Sequence, residues 1–427
     1  MRWMFRSVLA LSALAGAAAH AEEDAFSLTG GVRARYETLG GQFRAGLDGG
    51  DQLFSVRTNI LGQARIDDVT LAAELVDSRA YLGDAGGSIG NGEVNALELV
   101  QAYAKWRFGQ SSLQVGRFTM DLGSRRLVER SNFRNAPNGF TGARYDRGGL
   151  TLFYTLPQTR LPDDKPSLLD NEIAYDAETS DYRFWAAFFS KPGLPFGARG
   201  EIFLFGLDDD RPGPNGIGRD RHLLTPGFRI VRTPADDAFD FEIEAGAQRG
   251  DLNGLDVEAG YAHATLGYRW GNDWSPRLSF LFDYASGDAS PTDDKHNRFD
   301  PLFGSRTGDF GPTGIFGPIA RANLIAPGLR LEAEPRDGIE LSASWRALWL
   351  DEPRDAFAGT GVRDASGLSG DAAGHLLQAA IELSPRDNLT LETGLAALIK
   401  DDFLERAPNA NGEGDAAFGF ASITLTF

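Results

Sequence analysis

Arginine supplies most of the chemistry open to this sequence. It outnumbers lysine 37 to 5, and basic residues recur two apart at Arg33 and Arg35 and at Lys105 and Arg107. A guanidinium stays charged at physiological pH and grips a carboxylate or phosphate through paired hydrogen bonds, so arginines gathered on one surface would bind or conduct anions. Other chemistries have less material. The chain has no Cys, which excludes disulfides, thiolate metal sites and cysteine nucleophiles. No two histidines stand at the close spacing of a metal-binding pair, so neither a metal nor a cofactor is predicted. Asp220 with His222, and His263 with Thr265, each offer two members of a catalytic group without an identifiable third. A net charge of −18 argues against a nucleic-acid-binding surface.

Arg2 and Arg6 precede an apolar stretch over 7–19, and Ala19-His20-Ala21 offers small residues where a signal peptidase reads. Residues 1–21 are therefore predicted to be a cleaved secretory signal and 22–427 a single exported domain. Losing two arginines takes the net charge from −18 to −20. No other segment has the ~20 consecutive apolar residues of a membrane-spanning helix.

What must position the arginines is a set of strands. From Phe26 the chain alternates, with Phe26, Leu28, Val32, Ala34 and Tyr36 on one face and Arg33, Arg35 and Glu37 on the other. The same alternation recurs at 239–245, 277–284 and 339–349. Runs of ten or more residues with charge on one face exceed the strands of a soluble sandwich and fit a membrane barrel with apolar side chains toward lipid. Closure is required because an open edge in lipid leaves backbone groups unpaired. The terminal segment AAFGFASITLTF reads as the closing strand. Nineteen alternating segments can be counted. Setting aside the short Asn171–Asp176 as a loop leaves the even number such barrels require, which predicts an all-β, antiparallel transmembrane barrel of 18 strands. Short periplasmic turns then fall near Asp67, Gln110, Arg147, Gly197, Ala235, Asn272, Arg336 and Arg386, and long extracellular loops fall mostly opposite them. Trp106, Phe108, Tyr268, Trp270, Trp345 and Trp349 are expected in the aromatic girdles.

Parity turns Arg33, Arg35, Arg57, Arg65, Lys105, Arg107, Arg277, Arg330 and Arg346 inward, among Glu242, Glu244, Asp283, Glu332, Glu340, Glu382 and Glu392. An arginine-lined conduit for an anionic solute follows, with the 118–138 and 287–317 loops setting its aperture. Acids in outer loops such as 207–211 and 290–300 are read as solvated surface, in reach of lipid and lipopolysaccharide.

The segment FDYASGD (282–288), followed by FDPLFGSR (299–306), resembles the late signature of the alginate-export outer-membrane porin family. So does GRFTMDLGSRRLVERSNFRNAPNGFTGARY (116–145), although FTGAR stands where that family usually starts the strand with Phe-Asp. The resemblance implies an 18-stranded monomeric barrel that lets an anionic polysaccharide such as alginate out through an electropositive constriction, fed by periplasmic secretion partners. It points to Arg117, Arg125, Arg126, Arg134 and Arg144 as constriction or loop arginines, with Asp283 and Asp288 flanking the large loop. Arg117 and Arg144 are singled out as strand-end residues beside the 118–138 loop. A general or oligosaccharide uptake porin carrying a small anion is the alternative, and an outer-membrane hydrolase using Asp220 and His222 a more remote one.

Overall fold

The computed structural model describes residues 25–47, 49–213, 219–290, 292–411 and 414–427, so the predicted signal lies outside the described residues. Eighteen antiparallel strands form one closed barrel. They are β1 (Phe26–Gly40), β2 (Asp51–Ile66), β3 (Val69–Tyr81), β4 (Asn95–Phe108), β5 (Ser111–Phe118) and β6 (Phe140–Arg147). β7 (Leu150–Pro157), β8 (Tyr182–Leu194), β9 (Ala198–Asp209), β10 (Arg221–Arg232), β11 (Ala238–Leu252) and β12 (Leu255–Arg269) follow. The set ends with β13 (Arg277–Ala285), β14 (Leu324–Arg336), β15 (Ile339–Trp349), β16 (Ala372–Arg386), β17 (Leu389–Lys400) and β18 (Ala416–Thr426). β18 pairs with β1 in register from Gly31 opposite Thr426 to Gly40 opposite Ala417, which closes the wall as the terminal alternation predicts. Asn171–Asp176 is not a strand, and all eight predicted short turns lie between strands. The opposite side has the long loops, with the two-residue link between β11 and β12 as its exception.

The outer face is apolar and meets lipid: Leu71, Ile202, Leu266, Phe280, Leu329 and Leu395 are exposed along alternate positions. The rings of Trp106 and Phe108 lie tilted with centres 4.6 Å apart, and those of Tyr268 and Trp270 meet edge-on at 5.0 Å, at the short-turn ends of β4 and β12, as girdle residues should. No helix among the described residues is long and apolar enough to cross a membrane.

The lumen departs from the simple apolar-out, polar-in rule. Some inward residues are apolar: Phe153, Phe203 and Phe205 at mid-strand on β7 and β9, Phe184 near the long-loop end of β8, and Leu39, Leu53 and Phe418 near the long-loop ends around the closure. The 119–139 and 286–323 loops fold into the barrel and bury Leu127, Val128 and Phe299 in one cluster and Phe310, Ile315 and Phe316 in the other. Burying each large apolar side chain contributes roughly 1.5–3 kcal/mol, which anchors these loops as plugs. Polar lining returns toward the periplasmic half.

The two plugs pair with each other. Val128 bridges Phe303, with the Glu129 amide donating to the Phe303 carbonyl (3.1 Å) and the Phe303 amide to the Leu127 carbonyl (3.0 Å). A Cβ on Gly304 would stand 1.7 Å from the Arg126 carbonyl oxygen, so only glycine allows this approach. Gly304→Val should uncouple the plugs and raise single-channel conductance in planar bilayers; unchanged conductance would show that the pairing does not limit the aperture.

Candidate functional site

The tip of the first plug, 132–134, is pinned to β1 and β2. Arg33 and Arg57 face each other in register, and both donate to the Asn132 carbonyl (2.9 and 3.1 Å) and to the Arg134 carbonyl (3.2 and 3.2 Å). Arg35 donates to the Phe133 carbonyl at 2.6 Å, and its guanidinium carbon lies 4.0 Å from the Phe133 ring centre. Phe133 meets Phe420 of β18 edge-on at 5.4 Å. The second plug carries a short helix, α2 (Thr307–Phe310; α1, Lys165–Leu169, precedes it and α3, Asp402–Arg406, follows). Arg330 of β14 holds the tip of this plug by donating to the Gly308 carbonyl. Between the two tips lies a cavity of about 260 Å³, bounded by Phe133, Thr307, Gly308 and Pro312 on the plugs and by β14–β18 on the wall. Through Glu332 and Glu392 it is continuous with a vestibule of about 360 Å³ lined also by Glu334, Glu340 and Glu382.

The predicted basic residues divide into two sets. Arg35 pairs with Glu37 (2.7 Å), Arg125 with Asp121 (3.8 Å), Arg144 with Asp146 (2.9 Å), and Arg277 with Asp240 (2.6 Å) and Glu332. Arg117 pairs with Glu98 at 2.6 Å, Arg126 with three acids, and Arg346 with Asp283 at 2.8 Å. Arg33, Arg57, Arg65, Lys105, Arg107, Arg134 and Arg330, by contrast, form no ion pair among the described residues. The carbonyls that accept from Arg33, Arg57 and Arg330 are neutral, so none of these three guanidiniums is held by a carboxylate in direct contact.

Of the two arginines singled out from sequence, Arg144 departs from the expected place at a strand end beside the first plug. Arg144 lies within β6, toward the Gly148–Gly149 turn rather than beside the plug, where Asp146 takes both its Nε and Nη2. Arg117 does sit at the loop end of β5, but its parity is that of Leu113 and the exposed Val115, away from the lumen. Its guanidinium fastens the rim through Glu98 and the Leu99 carbonyl (3.0 Å). Asp283 and Asp288 do flank the start of the large loop; Asp288 Oδ1 accepts from the Asn297 amide at 3.2 Å.

Sequence reading did not find the hub that joins plugs to wall. Arg126 reaches Glu242, Glu244 (3.0 Å) and Asp309 (3.2 Å), while Asp309 also takes Arg321, and Asp283 takes Arg321 (3.3 Å) and Arg346 (2.8 Å). His263 completes it: Nδ1 lies 2.9 Å from Asp283 Oδ1, and Nε2 lies 2.8 Å from Arg126 Nη2 and 2.9 Å from Thr265 Oγ1. An arginine nitrogen only donates, so Nε2 is the acceptor and Nδ1 carries the proton toward Asp283. Although His263, Asp283 and Asp309 bring ligand-type atoms within 4.8 Å, three surrounding guanidiniums make this an anion-compensated brace rather than a cation site. His222 is bracketed by Asp208 (3.0 Å), Asp220 (3.1 Å) and Asp210 (3.2 Å), and no hydroxyl nucleophile is among these partners.

Positive charge is crowded in the plugs. Burial, then the charges of Arg134 and Arg44, lowers Arg306 to about 10, and burial lowers Arg134; Arg306 remains cationic at neutral pH. In the 158–181 loop, burial and then the Glu98 carboxylate push Asp176 up to about 6. Asp176 accepts from Asn95 (3.0 Å) and from the Leu161 amide (3.1 Å). Its unfolded value is about 3.9, so the stability it contributes is present below that pH and lost as pH rises through about 6. Protection factors in 158–181, which are free of the intrinsic pH dependence of amide exchange, should therefore be higher at pH 5 than at pH 7, and Asp176→Asn should abolish that difference; an unchanged difference would assign it to another group.

A closed barrel with an apolar outer belt, inward-folded loops and a charged lumen defines a porin-like channel of the bacterial outer membrane. The chain belongs to the alginate export family, whose model matches residues 25–417. Its fold is similar to OpdQ of Pseudomonas aeruginosa, at 12% identity and TM-score 0.61, over 94% of this chain and 97% of that one. It is similar to a BenF-like porin from Pseudomonas fluorescens at 12% identity and TM-score 0.61, covering 95% and 99% of the two chains. OccK2 of Pseudomonas aeruginosa in complex with glucuronate matches at 13% identity and TM-score 0.58, covering 94% and 98%. None of the curated proteins matches the chain.

Proposed function

We propose that this protein is an anion-preferring, non-enzymatic channel for carboxylated sugars, with a uronic-acid polymer such as alginate as cargo and export as its direction. The observation that carries the reading is the set of cations without ion-pair partners among the described residues at the plug tips: Arg33 and Arg57, which hold the tip of the first plug, and Arg330, which holds that of the second. Fixed charge at the narrowest section lowers the barrier for a counter-charged solute, while charges in a wide, solvated vestibule act weakly. Family membership supports the polymer, whose passage requires the plug tips to part. Uptake of single uronates is a second reading, favoured by the 260 Å³ cavity and by the glucuronate held by OccK2. The barrel would act as a monomer among lipid and lipopolysaccharide, with periplasmic secretion partners if it exports. In liposome swelling, glucuronate should enter several-fold faster than cationic glucosamine; equal rates would overturn the charge-based reading.

A further inference from the structure

The lumen carries its fixed charge unevenly along the axis. Five carboxylates line the vestibule at the short-turn end, Glu332, Glu334, Glu340, Glu382 and Glu392, against one guanidinium, Arg269. Glu332 is taken by Arg277 and Glu334 by Arg269 (3.3 Å), but Glu340, Glu382 and Glu392 form no ion pair among the described residues. These three stand directly across from one another on neighbouring strands, Glu340 opposite Glu382 and Glu382 opposite Glu392. Like charges so placed weaken a sheet, so the ladder works against the wall that carries it. All three lie within five residues of the Asp337–Gly338 and Asp387–Asn388 turns, whereas Arg330 lies seven residues from Asp337 and Arg57 ten from Asp67. A tilted strand rises roughly 2.5 Å along the axis per residue, which puts the unpaired acids about 5–13 Å above the turns, Arg330 about 18 Å and Arg57 about 25 Å.

We infer that the channel is an ionic rectifier, passing more current when the periplasmic side is positive than when it is negative; the inference rests on the anion-preferring reading above, which supplies the basic section. The vestibule gathers cations, and the section at the plug tips gathers anions. With the periplasmic side positive, the field drives cations from the vestibule toward the plugs and anions from the plugs toward the vestibule. Both kinds then accumulate where the two sections meet, and the conductance rises. With the voltage reversed, both are drawn away from that junction, which is left depleted and resistive. At about 0.1 M salt the screening length is about 10 Å, comparable with the separation of the sections, so each keeps its own sign. A conduit lined by basic charge throughout would have no such junction, however selective it was.

Single-channel current–voltage curves with equal potassium chloride on both sides test this. The chain has no Cys, so Leu368→Cys on the exposed 350–371 loop marks the outer side, by showing from which chamber a thiol reagent reaches it. In about 0.1 M salt the current with the periplasmic side positive should exceed that at the opposite voltage by at least about twofold. In about 1 M salt, where the screening length falls to about 3 Å, the two currents should become equal. Glu340→Gln, Glu382→Gln and Glu392→Gln combined should remove the asymmetry at low salt while raising the preference for anions. Equal currents in the unmodified channel at low salt, an asymmetry of the opposite sign, or one that survives in the glutamine variant would overturn the inference. The reversal potential of the unmodified channel keeps the two failures apart. Chloride preference with equal currents removes only the rectifier, whereas potassium preference removes the channel reading on which it rests.

Discussion

Replacing Arg33 and Arg57 together by glutamine should lower anion permeability by about tenfold, and the anion-to-cation permeability ratio by at least as much. Both guanidiniums grip the same two carbonyls at the plug tip, and neither meets a carboxylate within ion-pair distance among the described residues. An ion passing about 6 Å from one such charge through a water-like medium gains roughly 0.7 kcal/mol, or about threefold in population, for each charge. Glutamine keeps a donor for the Asn132 and Arg134 carbonyls, so the variant tests charge rather than the seating of the plug. Arg33→Lys with Arg57→Lys should hold the ratio near that of the unmodified protein. A ratio that does not move in the glutamine variant would place the selectivity filter elsewhere.

Arg126→Ala should have the largest structural effect. This one side chain, itself buried, joins the first plug to Glu242 and Glu244 on β11 and to Asp309 of the second plug. Without it two wall glutamates and Asp309 face each other with fewer cations between them, and breaking a buried ion network by removing one partner costs about 3–5 kcal/mol. The hydrogen-bonded β wall does not depend on this contact, so the loss should appear in the plugs: higher and noisier conductance, a lower thermal midpoint and faster proteolysis within 286–323. Arg126→Lys should recover only part of the loss, because an ammonium cannot present a planar fork to several carboxylates at once. Wild-type conductance with a lowered midpoint would show that the network braces the protein without setting the aperture.

The barrel was legible because lipid enforces a period of two over long runs. Phe26–Tyr36 and Leu278–Tyr284 display it on their apolar face, and the even strand count follows once Asn171–Asp176 is set aside. The inward basic residues of β1, β2, β14 and β15 were legible for the same reason. What alternation cannot express is which acid meets which base. Arg126 and Glu242 are 116 residues apart, and only the folding of a loop into the lumen brings them together. The inward phenylalanines of β7–β9 likewise contradict a polar lumen until a plug is there to cover them. Spacing likewise cannot tell where along its strand an arginine stands: Arg144 lies within β6 and pairs with Asp146, whereas Arg117 stands at the loop end of β5 on the face of Leu113 and Val115.

The reversal potential of the unmodified channel in a potassium chloride gradient tests the central claim most directly. Fixed arginines at the narrowest section predict a potential of the sign set by chloride. A potential set by potassium would mean that the vestibule glutamates, Glu332, Glu334, Glu340, Glu382 and Glu392, govern permeation, and would contradict the account.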